Sequence, residues 1–123
     1  MTVFKRQPLG QMSLTNRKNT KMGNILINVK NETGGFEFIG SRGAGEIIRE
    51  KMKPVLDQKG EVTLDFAGVD QVTQSFIDEF FGIFIRSFGI EYIRGKVKLV
   101  NETQGIKDTI NFVIKYSKER QSA

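Results

Sequence analysis

The sequence predicts one α/β domain built on a single-layer, mixed and mostly parallel sheet of four strands with about three helices, in the order β-β-α-β-α-β-α. Two stretches and the length predict this class. Val62–Phe66 alternates apolar and polar side chains, the two-residue period of a strand. From Phe76 to Phe88 apolar residues recur every three or four positions, as in a helix packed against a core. The length of 123 residues is that of one domain.

Charge is unevenly distributed along the chain. Residues 1–22 contain no acidic side chain and five basic ones, Lys5, Arg6, Arg17, Lys18 and Lys21. The other fourteen basic residues are balanced by the fourteen acidic residues. We therefore expect a basic, poorly ordered extension over residues 1–22 and a folded domain over residues 23–120.

Histidine and cysteine are both absent from the sequence. Their absence excludes thiol nucleophiles, disulfides, cysteine-based metal sites and Ser-His or Cys-His catalytic pairs. We expect a protein that is not an enzyme, with no cofactor and no bound metal. No apolar run reaches the ~18 residues of a membrane span, and the basic N-terminus lacks the apolar segment of a secretory signal. These features predict a cytoplasmic protein without membrane contact.

The first predicted elements form a β-hairpin. Asn24–Val29 is apolar and β-branched, which predicts the first strand. Asn31–Gly35 has the Asn and Gly residues that favour a tight turn. Phe36–Ile39 is then expected to return beside the first strand as the second one.

A glycine-rich turn, Gly40–Gly45, leads into the first helix. We expect its glycines to serve a tight turn and close packing, with Ser41 as a local cap. A phosphate-binding loop is the alternative, but the Gly-Lys-Ser/Thr ending of such loops is missing. Because Arg42 would place a cation beside the positive end of a helix, we expect it to contact an acidic or phosphorylated group of a partner.

The first helix is expected to run from about Ala44 to Gln58. Its predicted buried stripe consists of Ile47, Ile48, Met52, Val55 and Leu56. Pro54 removes one intrahelical hydrogen bond, which predicts a bend or an early end there. Lys59-Gly60 then closes the helix before the central strand.

The second helix is predicted to begin at Ser75, because Ser75-x-x-Asp78 has the form of a capping box. The side chains expected on its buried face are Phe76, Ile77, Phe80, Phe81, Phe84, Ile85 and Phe88. Since burial of each is worth about 1.5–3 kcal/mol before entropy is subtracted, this helix is expected to be the spine of the fold.

The last strand and the last helix complete the predicted domain. In Lys96–Val100 lysines alternate with apolar residues, so one face of this strand is uncovered or the strand lies at an edge. The last three strands are expected to be parallel. Thr103 is expected to cap a final helix, whose buried residues would be Ile106, Ile110, Val113 and Ile114.

Asp65 is the acidic residue without an obvious helix-capping or loop role. It ends the central strand, and Asp70 and Asp78-Glu79 follow it in sequence. We favour a structural role in which its carboxylate accepts hydrogen bonds from backbone amides of the following turn. Binding of Mg²⁺ or acid–base chemistry by a carboxylate pair is the alternative.

Leu64-Asp65-Phe66 at the strand end and Gln74-Ser75-Phe76 at the helix start resemble the STAS-like family of small domains, which are distant relatives of the anti-sigma-factor antagonists. The similarity extends from about Ile25 to Tyr116. It implies a regulatory interaction module whose partner is a GHKL-type ATPase or kinase. In the antagonists that kinase phosphorylates a serine of an Asp-Ser-Ser-Gly motif, where this chain reads Thr73–Phe76.

The resemblance places the usual phosphate acceptor at Gln74, one residue before Ser75. Ser75 is the best candidate for phosphorylation and Thr73 is a substitute, and partner contact at this turn without phosphorylation is the alternative. The function expected is a non-catalytic protein–protein interaction module, acting as a monomer or weak homodimer. The residues expected to bind the partner or regulate binding are Arg42, Asp65, Thr73, Gln74 and Ser75. The alternative is a nucleic-acid or anion-binding protein that uses its basic tail, and its binding would collapse with added salt.

Overall fold

A computed structural model describes residues 23–121 of the chain. The predicted extension, residues 1–22, lies outside the described residues. The elements in chain order are β1 (Asn24–Asn28), α1 (Val29–Glu32), β2 (Phe38–Ile39), α2 (Arg42–Asp57), β3 (Glu61–Asp65), β4 (Gln71–Val72), α3 (Gln74–Ile77), a π-helical segment (Asp78–Gly82), α4 (Ile83–Phe88), a 3-10 turn (Ile90–Tyr92), β5 (Val97–Val100) and α5 (Gln104–Gln121). The continuous helical stretch Gln74–Phe88 is called the central helix below.

The strands of the described residues form two parallel sheets and not the single four-stranded sheet that was predicted. In the larger sheet β3 lies between β1 and β5, with Ile27 opposite Leu64 and Leu64 opposite Leu99. The smaller sheet pairs β2 with β4. The α/β class with parallel strands is confirmed, and so is the edge position of the strand predicted over Lys96–Val100.

The predicted hairpin is wrong because the chain leaves β1 as a helical turn. Asn28 Oδ1 accepts a hydrogen bond from the amide of Asn31 at 3.0 Å, which caps α1 and ends the strand. The chain next passes Gly34, whose φ of 109° only glycine adopts easily. Phe38–Ile39 then pairs with Gln71–Val72, a two-residue strand that the sequence pattern did not reveal.

The core lies on one face of the three-stranded sheet. Ile27, Val62 and Leu64 point towards the helices and are at most 3% exposed. Their neighbours on the opposite face, among them Leu26 and Lys98, are exposed. Within residues 23–121 the uncovered lysine face predicted for the last strand is therefore confirmed, because the core formed with the helices of these residues lies on the other side.

The central helix supplies the largest buried side chains of the core. Six of its seven predicted stripe residues are buried, Phe76, Ile77, Phe80, Phe81, Phe84 and Ile85. Phe88 is 50% exposed and its ring lies 4.6 Å from that of Tyr92, so its predicted burial is wrong. The reason is its position at the helix end, where Gly89 turns the chain with a φ of 89°.

Helix α2 begins two residues earlier than predicted, and Ser41 caps it by accepting a hydrogen bond from the amide of Ala44 at 3.0 Å. It continues past Pro54 to Asp57, so the chain does not end its helix at the proline. Ile48, Met52, Val55 and Leu56 are buried as predicted. Ile47 is 41% exposed because it lies at the margin of this stripe.

Helix α5 covers the remaining core. Thr103 Oγ1 accepts a hydrogen bond from the amide of Ile106 at 3.2 Å, which confirms Thr103 as the cap. Ile106, Ile110 and Val113 are buried, and Ile114 is half-buried against the core. No helix in the described part of the chain is long and apolar enough to cross a membrane.

Candidate functional site

The first turn of the central helix is held by Thr73 and not by Ser75. Thr73 Oγ1 accepts a hydrogen bond from the amide of Phe76 at 3.1 Å and donates one to the carbonyl of Gly40 at 2.8 Å. The predicted capping box at Ser75 is therefore wrong. Thr73 follows strand β4 in an extended conformation (φ −93°, ψ 162°). The second hydrogen bond of Thr73, to the distant loop at Gly40, favours Thr73 over Ser75 as the cap.

Among the described residues, the Ser75 side chain consequently has no structural hydrogen-bond partner. It lies half-exposed in the first helical turn, and its hydroxyl makes no hydrogen bond within residues 23–121. Gln74 beside it is exposed. Both side chains point into a shallow groove next to the helix start.

This groove has a volume of about 530 Å³ and lies between the start of α2, the central helix and α5. Its lining residues are Arg42, Gln74, Ser75, Asp78, Arg86, Phe112, Val113, Tyr116 and Arg120. Of the residues predicted to bind a partner, the groove brings together Arg42, Gln74 and Ser75, and Thr73 caps the helix beside them. It is called the arginine groove below, since three of its members are arginines.

Arg42 contacts an acidic group of its own chain. Its Nη1 lies 3.1 Å from Glu79 Oε1, and its side chain remains 64% exposed. Glu79 also accepts a hydrogen bond from Arg49 Nη1 at 2.8 Å, so one carboxylate is shared by two guanidinium groups. Arg49 also lies 3.8 Å from Glu46, so the two arginines are balanced by two glutamates, and of these four residues Arg42 lines the groove.

Gly45 lets α2 approach the central helix closely. A Cβ atom at this position would lie 2.5 Å from Cβ of Glu79 and 2.6 Å from the carbonyl oxygen of Phe76. Such distances are too short for carbon atoms, so only glycine allows this packing. Close packing was the role predicted for the glycines of this turn, and it places Arg42 within reach of Glu79.

Asp78 and Arg86 form the floor of the arginine groove. Arg86 Nη1 donates to Asp78 Oδ1 at 2.7 Å and to Ser117 Oγ at 3.1 Å, and Nη2 donates to Asp78 Oδ2 at 3.1 Å. The hydrogen bond to Asp78 raises the pKa of Arg86. Ser117 is fully buried, and this contact joins α5 to the central helix.

Aromatic side chains stand exposed around the start of the central helix. On α5, Phe112 and Tyr116 are 51% and 45% exposed and their rings stack with centroids 6.2 Å apart. The guanidinium of Arg120 lies 5.2 Å from the centre of the Tyr116 ring. Phe38 of β2 is 59% exposed and lies against Gly40, close to Thr73.

Asp65 lies outside the arginine groove and has partners within the chain. Its Oδ1 accepts hydrogen bonds from Asn101 Nδ2 and from the amide of Ala67, both at 2.9 Å. Both hydrogen bonds lower the pKa of Asp65, and the one from Asn101 is the larger cause. The structural role that was favoured for Asp65 is therefore observed: it fastens the turn after β3 to the end of β5. In residues 23–121 no cluster of three potential metal-binding side chains is present.

Sequence reasoning missed six of the nine residues that line the arginine groove. Arg86 and Asp78 are eight positions apart, which matches no common helical pair spacing, so no local signal links them. The exposed aromatics of α5 did carry a signal, because Phe112 and Tyr116 are four residues apart and fall outside the apolar stripe predicted for that helix.

A family model matches residues 44–107, just over half of the chain, and is described as a STAS-like domain of unknown function. The matched region begins in α2 and ends in the first turn of α5. It includes the central strand and the whole central helix. No match to a curated protein or to a solved structure was found.

Proposed function

Because this chain belongs to the family of STAS-like domains of unknown function, we propose that it is a non-catalytic regulatory module that binds a partner protein through the arginine groove. The partner proposed is a GHKL-type ATPase or kinase, the class that the resemblance to anti-sigma-factor antagonists implies. Binding would centre on the first turn of the central helix.

The composition of the surface around that turn is the main support for the proposal. Exposed aromatic rings and arginines line the groove together there, namely Phe112, Tyr116, Arg42 and Arg120. Aromatic residues and arginine are the types enriched at the energetic centres of protein interfaces. Single exposed apolar residues are ordinary on a protein surface, but several stacked or adjacent rings beside a groove are not.

Two features of the site support regulation by phosphorylation at Ser75. The hydroxyl is not used as a helix cap, so its modification would not cost the cap. The acidic neighbours Asp78 and Glu79 are both engaged by arginines, which reduces their repulsion of an added phosphate. A phosphate on Ser75 would enter a groove lined by Arg42 and Arg120.

The proposal is tested by measuring binding of the partner and, for phosphorylation, the mass of this protein. The cognate GHKL-type ATPase, taken from the same cell, is titrated with this protein in a calorimeter at two salt concentrations. We expect a 1:1 complex with modest salt dependence that is weakened at least about tenfold by Tyr116→Ala, a hot-spot loss of about 1.4 kcal/mol or more.

A matched control is Tyr92→Phe, which alters an aromatic residue that does not line the groove. Equal loss of binding in Tyr116→Ala and Tyr92→Phe would contradict the assignment of the groove. Binding that instead depends on residues 1–22 and collapses with salt would favour the alternative, nucleic-acid or anion binding by the basic tail.

A further inference from the structure

The outer edge of strand β5 adjoins a second groove, which the function proposed above does not use. This groove has a volume of about 320 Å³ and lies between β5 and α5. Its lining is mostly apolar and consists of Phe81, Ile90, Ile93, Arg94, Gly95, Val97, Leu99, Ile110, Asn111, Ile114 and Lys118. It is called the edge groove below.

The backbone of β5 is paired on one side only. Lys96 O accepts a hydrogen bond from the amide of Val62 at 2.8 Å, and Val100 O accepts one from Phe66 at 3.0 Å, so these residues face β3. Backbone groups of a strand alternate in direction, and the N–H and C=O groups of Val97 and Leu99 therefore point away from the sheet. No other strand within residues 23–121 pairs with this edge.

The side chains of the same two residues are incompletely covered. Val97 and Leu99 lie opposite Val62 and Leu64 in the sheet, and those central residues are 1% and 0% exposed. Val97 and Leu99 are only half-buried and line the edge groove. One further strand beside β5 would satisfy their backbone groups and cover their side chains at once.

The charges at this edge select the kind of strand that fits. Arg94, Lys96, Lys98 and Lys118 surround β5. The acidic residues near them are Glu91, paired with Arg94 at 2.8 Å, and Glu61, which lies beside Lys96 and Lys98, so cations outnumber carboxylates by four to two. Residues 1–22 of this chain carry five basic side chains and no acidic one, so they are electrostatically mismatched to the edge. A second copy of β5 would likewise bring lysines against lysines.

We propose that the edge of β5 binds an extended segment of a partner protein that alternates apolar and acidic residues, by addition of a strand next to Val97 and Leu99. Apolar side chains of the segment would enter the edge groove, and its carboxylates would face the surrounding cations. This site is distinct from the arginine groove. On α5 the edge groove is lined by Ile110, Asn111, Ile114 and Lys118, and the arginine groove by Phe112, Val113, Tyr116 and Arg120. The mean directions of the two sets lie about 160° apart around the helix.

The test uses a fluorescein-labelled octapeptide that alternates glutamate and valine, with a lysine–valine octapeptide and an N-methylated glutamate–valine octapeptide as controls. Amide hydrogen exchange is followed by NMR in the full chain. At 90% occupancy of the site, exchange at the outward amides of Val97 and Leu99 should slow about tenfold, because only the free fraction exchanges. The amides of Val62 and Phe66, already bonded to β5, should not change.

Two charge reversals on α5 give a matched pair. Lys118 lines the edge groove and Lys115 lines neither groove, although both are exposed. Lys118→Glu should weaken binding of the glutamate–valine peptide at least about fivefold, and Lys115→Glu less than about twofold.

Three results would overturn the inference. They are failure of the glutamate–valine peptide to protect Val97 and Leu99 at millimolar concentration, equal binding of the lysine–valine peptide, and equal binding of the N-methylated peptide, which cannot complete the ladder. Protection of the same amides by a short single-stranded DNA and not by the acidic peptide would also overturn it, because the cations would then serve a nucleic acid.

Discussion

Asp78 and Arg86 form a bidentate ion pair along the central helix although eight residues separate them, with Nη1–Oδ1 at 2.7 Å and Nη2–Oδ2 at 3.1 Å. The pair spans the π-helical segment Asp78–Gly82. Gly82 lies beneath it, and both Asp78 and Arg86 occupy the space where a Cβ atom of residue 82 would stand. The wider turn of the π-helical segment, the absence of a side chain at Gly82 and the contact of Arg86 with Asp78 therefore depend on one another.

Gly82→Ala should destabilise the protein, because the added methyl group collides with the Asp78 carboxylate and displaces the ion pair. We expect a loss of about 1–3 kcal/mol in the free energy of unfolding, measured by denaturant melts. Gly43→Ala is the matched control. Its Cβ would meet only Ser41 Oγ, at 4.0 Å, so it should be neutral or slightly stabilising. Equal losses in the two variants would refute the role of Gly82.

Three phenylalanines of the central helix should differ in their contribution to stability. Phe80 and Phe84 are at most 1% exposed, and replacing either with Ala should cost about 3–5 kcal/mol of unfolding free energy. Phe88 is 50% exposed and contacts Tyr92 and Lys53, so Phe88→Ala should cost about 1 kcal/mol. Denaturant melts that rank Phe88 level with Phe80 would show that the helix end is packed differently.

Periodicity sufficed to predict the central strand and the buried stripe of the central helix apart from Phe88, and residue type sufficed to predict the cap at Thr103. These features depend on residues that are neighbours in sequence. The pairing of Phe38–Ile39 depends instead on Gln71–Val72, and two-residue strands have too short a pattern to read. Thr73 is favoured as the cap because its hydroxyl also donates a hydrogen bond to the carbonyl of Gly40, 33 residues away in sequence.

The candidate site was predictable in part for the same reason. Gln74 and Ser75 were found by their place at the start of a helix, and Arg42 by its place in the preceding glycine turn. Arg86 and the exposed ring of Phe112 reach the same groove only through the packing of α5 against the central helix. No sequence spacing encodes that packing.

Arg42→Gln should weaken partner binding and leave stability within about 0.5 kcal/mol, since Arg42 is 64% exposed and Glu79 retains its contact with Arg49. Lys51→Gln is a matched control, because Lys51 is 44% exposed, is likewise paired with one glutamate, Glu32, and lines neither groove. Calorimetric titration with the GHKL-type ATPase should show a weaker complex for Arg42→Gln alone. Unfolding of Arg42→Gln would mean that its pair with Glu79 is a structural one.

Asn101→Gly should raise the pKa of Asp65, because the hydrogen bond from Asn101 is the largest cause of its lowered value. Glycine retains the backbone conformation, since φ of Asn101 is 61°. A lowered folded-state pKa stabilises the protein above the unfolded value of ~3.9, and this contribution is lost as pH falls through the folded pKa. The variant should therefore show a smaller loss of stability on acidification.

The pKa of Asp65 is followed through its side-chain carboxyl carbon by NMR. Asp57 is the internal control, because Lys53 and Tyr92 lower its pKa without involving Asn101. An unchanged Asp65 titration in Asn101→Gly would show that the amide of Ala67 alone holds the carboxylate.

Alanine substitutions at Ser75 and Thr73 should distinguish a regulatory hydroxyl from a structural one. Thr73→Ala removes the cap from the amide of Phe76 and should cost about 1 kcal/mol of unfolding free energy. Ser75→Ala should change stability by less than about 0.5 kcal/mol, because no hydrogen bond of the described chain depends on the Ser75 hydroxyl. This reverses the expectation from the sequence, in which Ser75 was the cap.

Incubation with the cognate GHKL-type ATPase and ATP should add the mass of one phosphate to the wild type and to Thr73→Ala, and none to Ser75→Ala. The helix start favours an added phosphate through its dipole and through Arg42 and Arg120, which line the same groove. Phosphorylation that persists in Ser75→Ala and vanishes in Thr73→Ala would reassign the acceptor to Thr73. An unmodified wild type that still binds the ATPase, and a Ser75→Ala variant that binds equally well, would leave the groove as a contact surface without a phosphorylation switch.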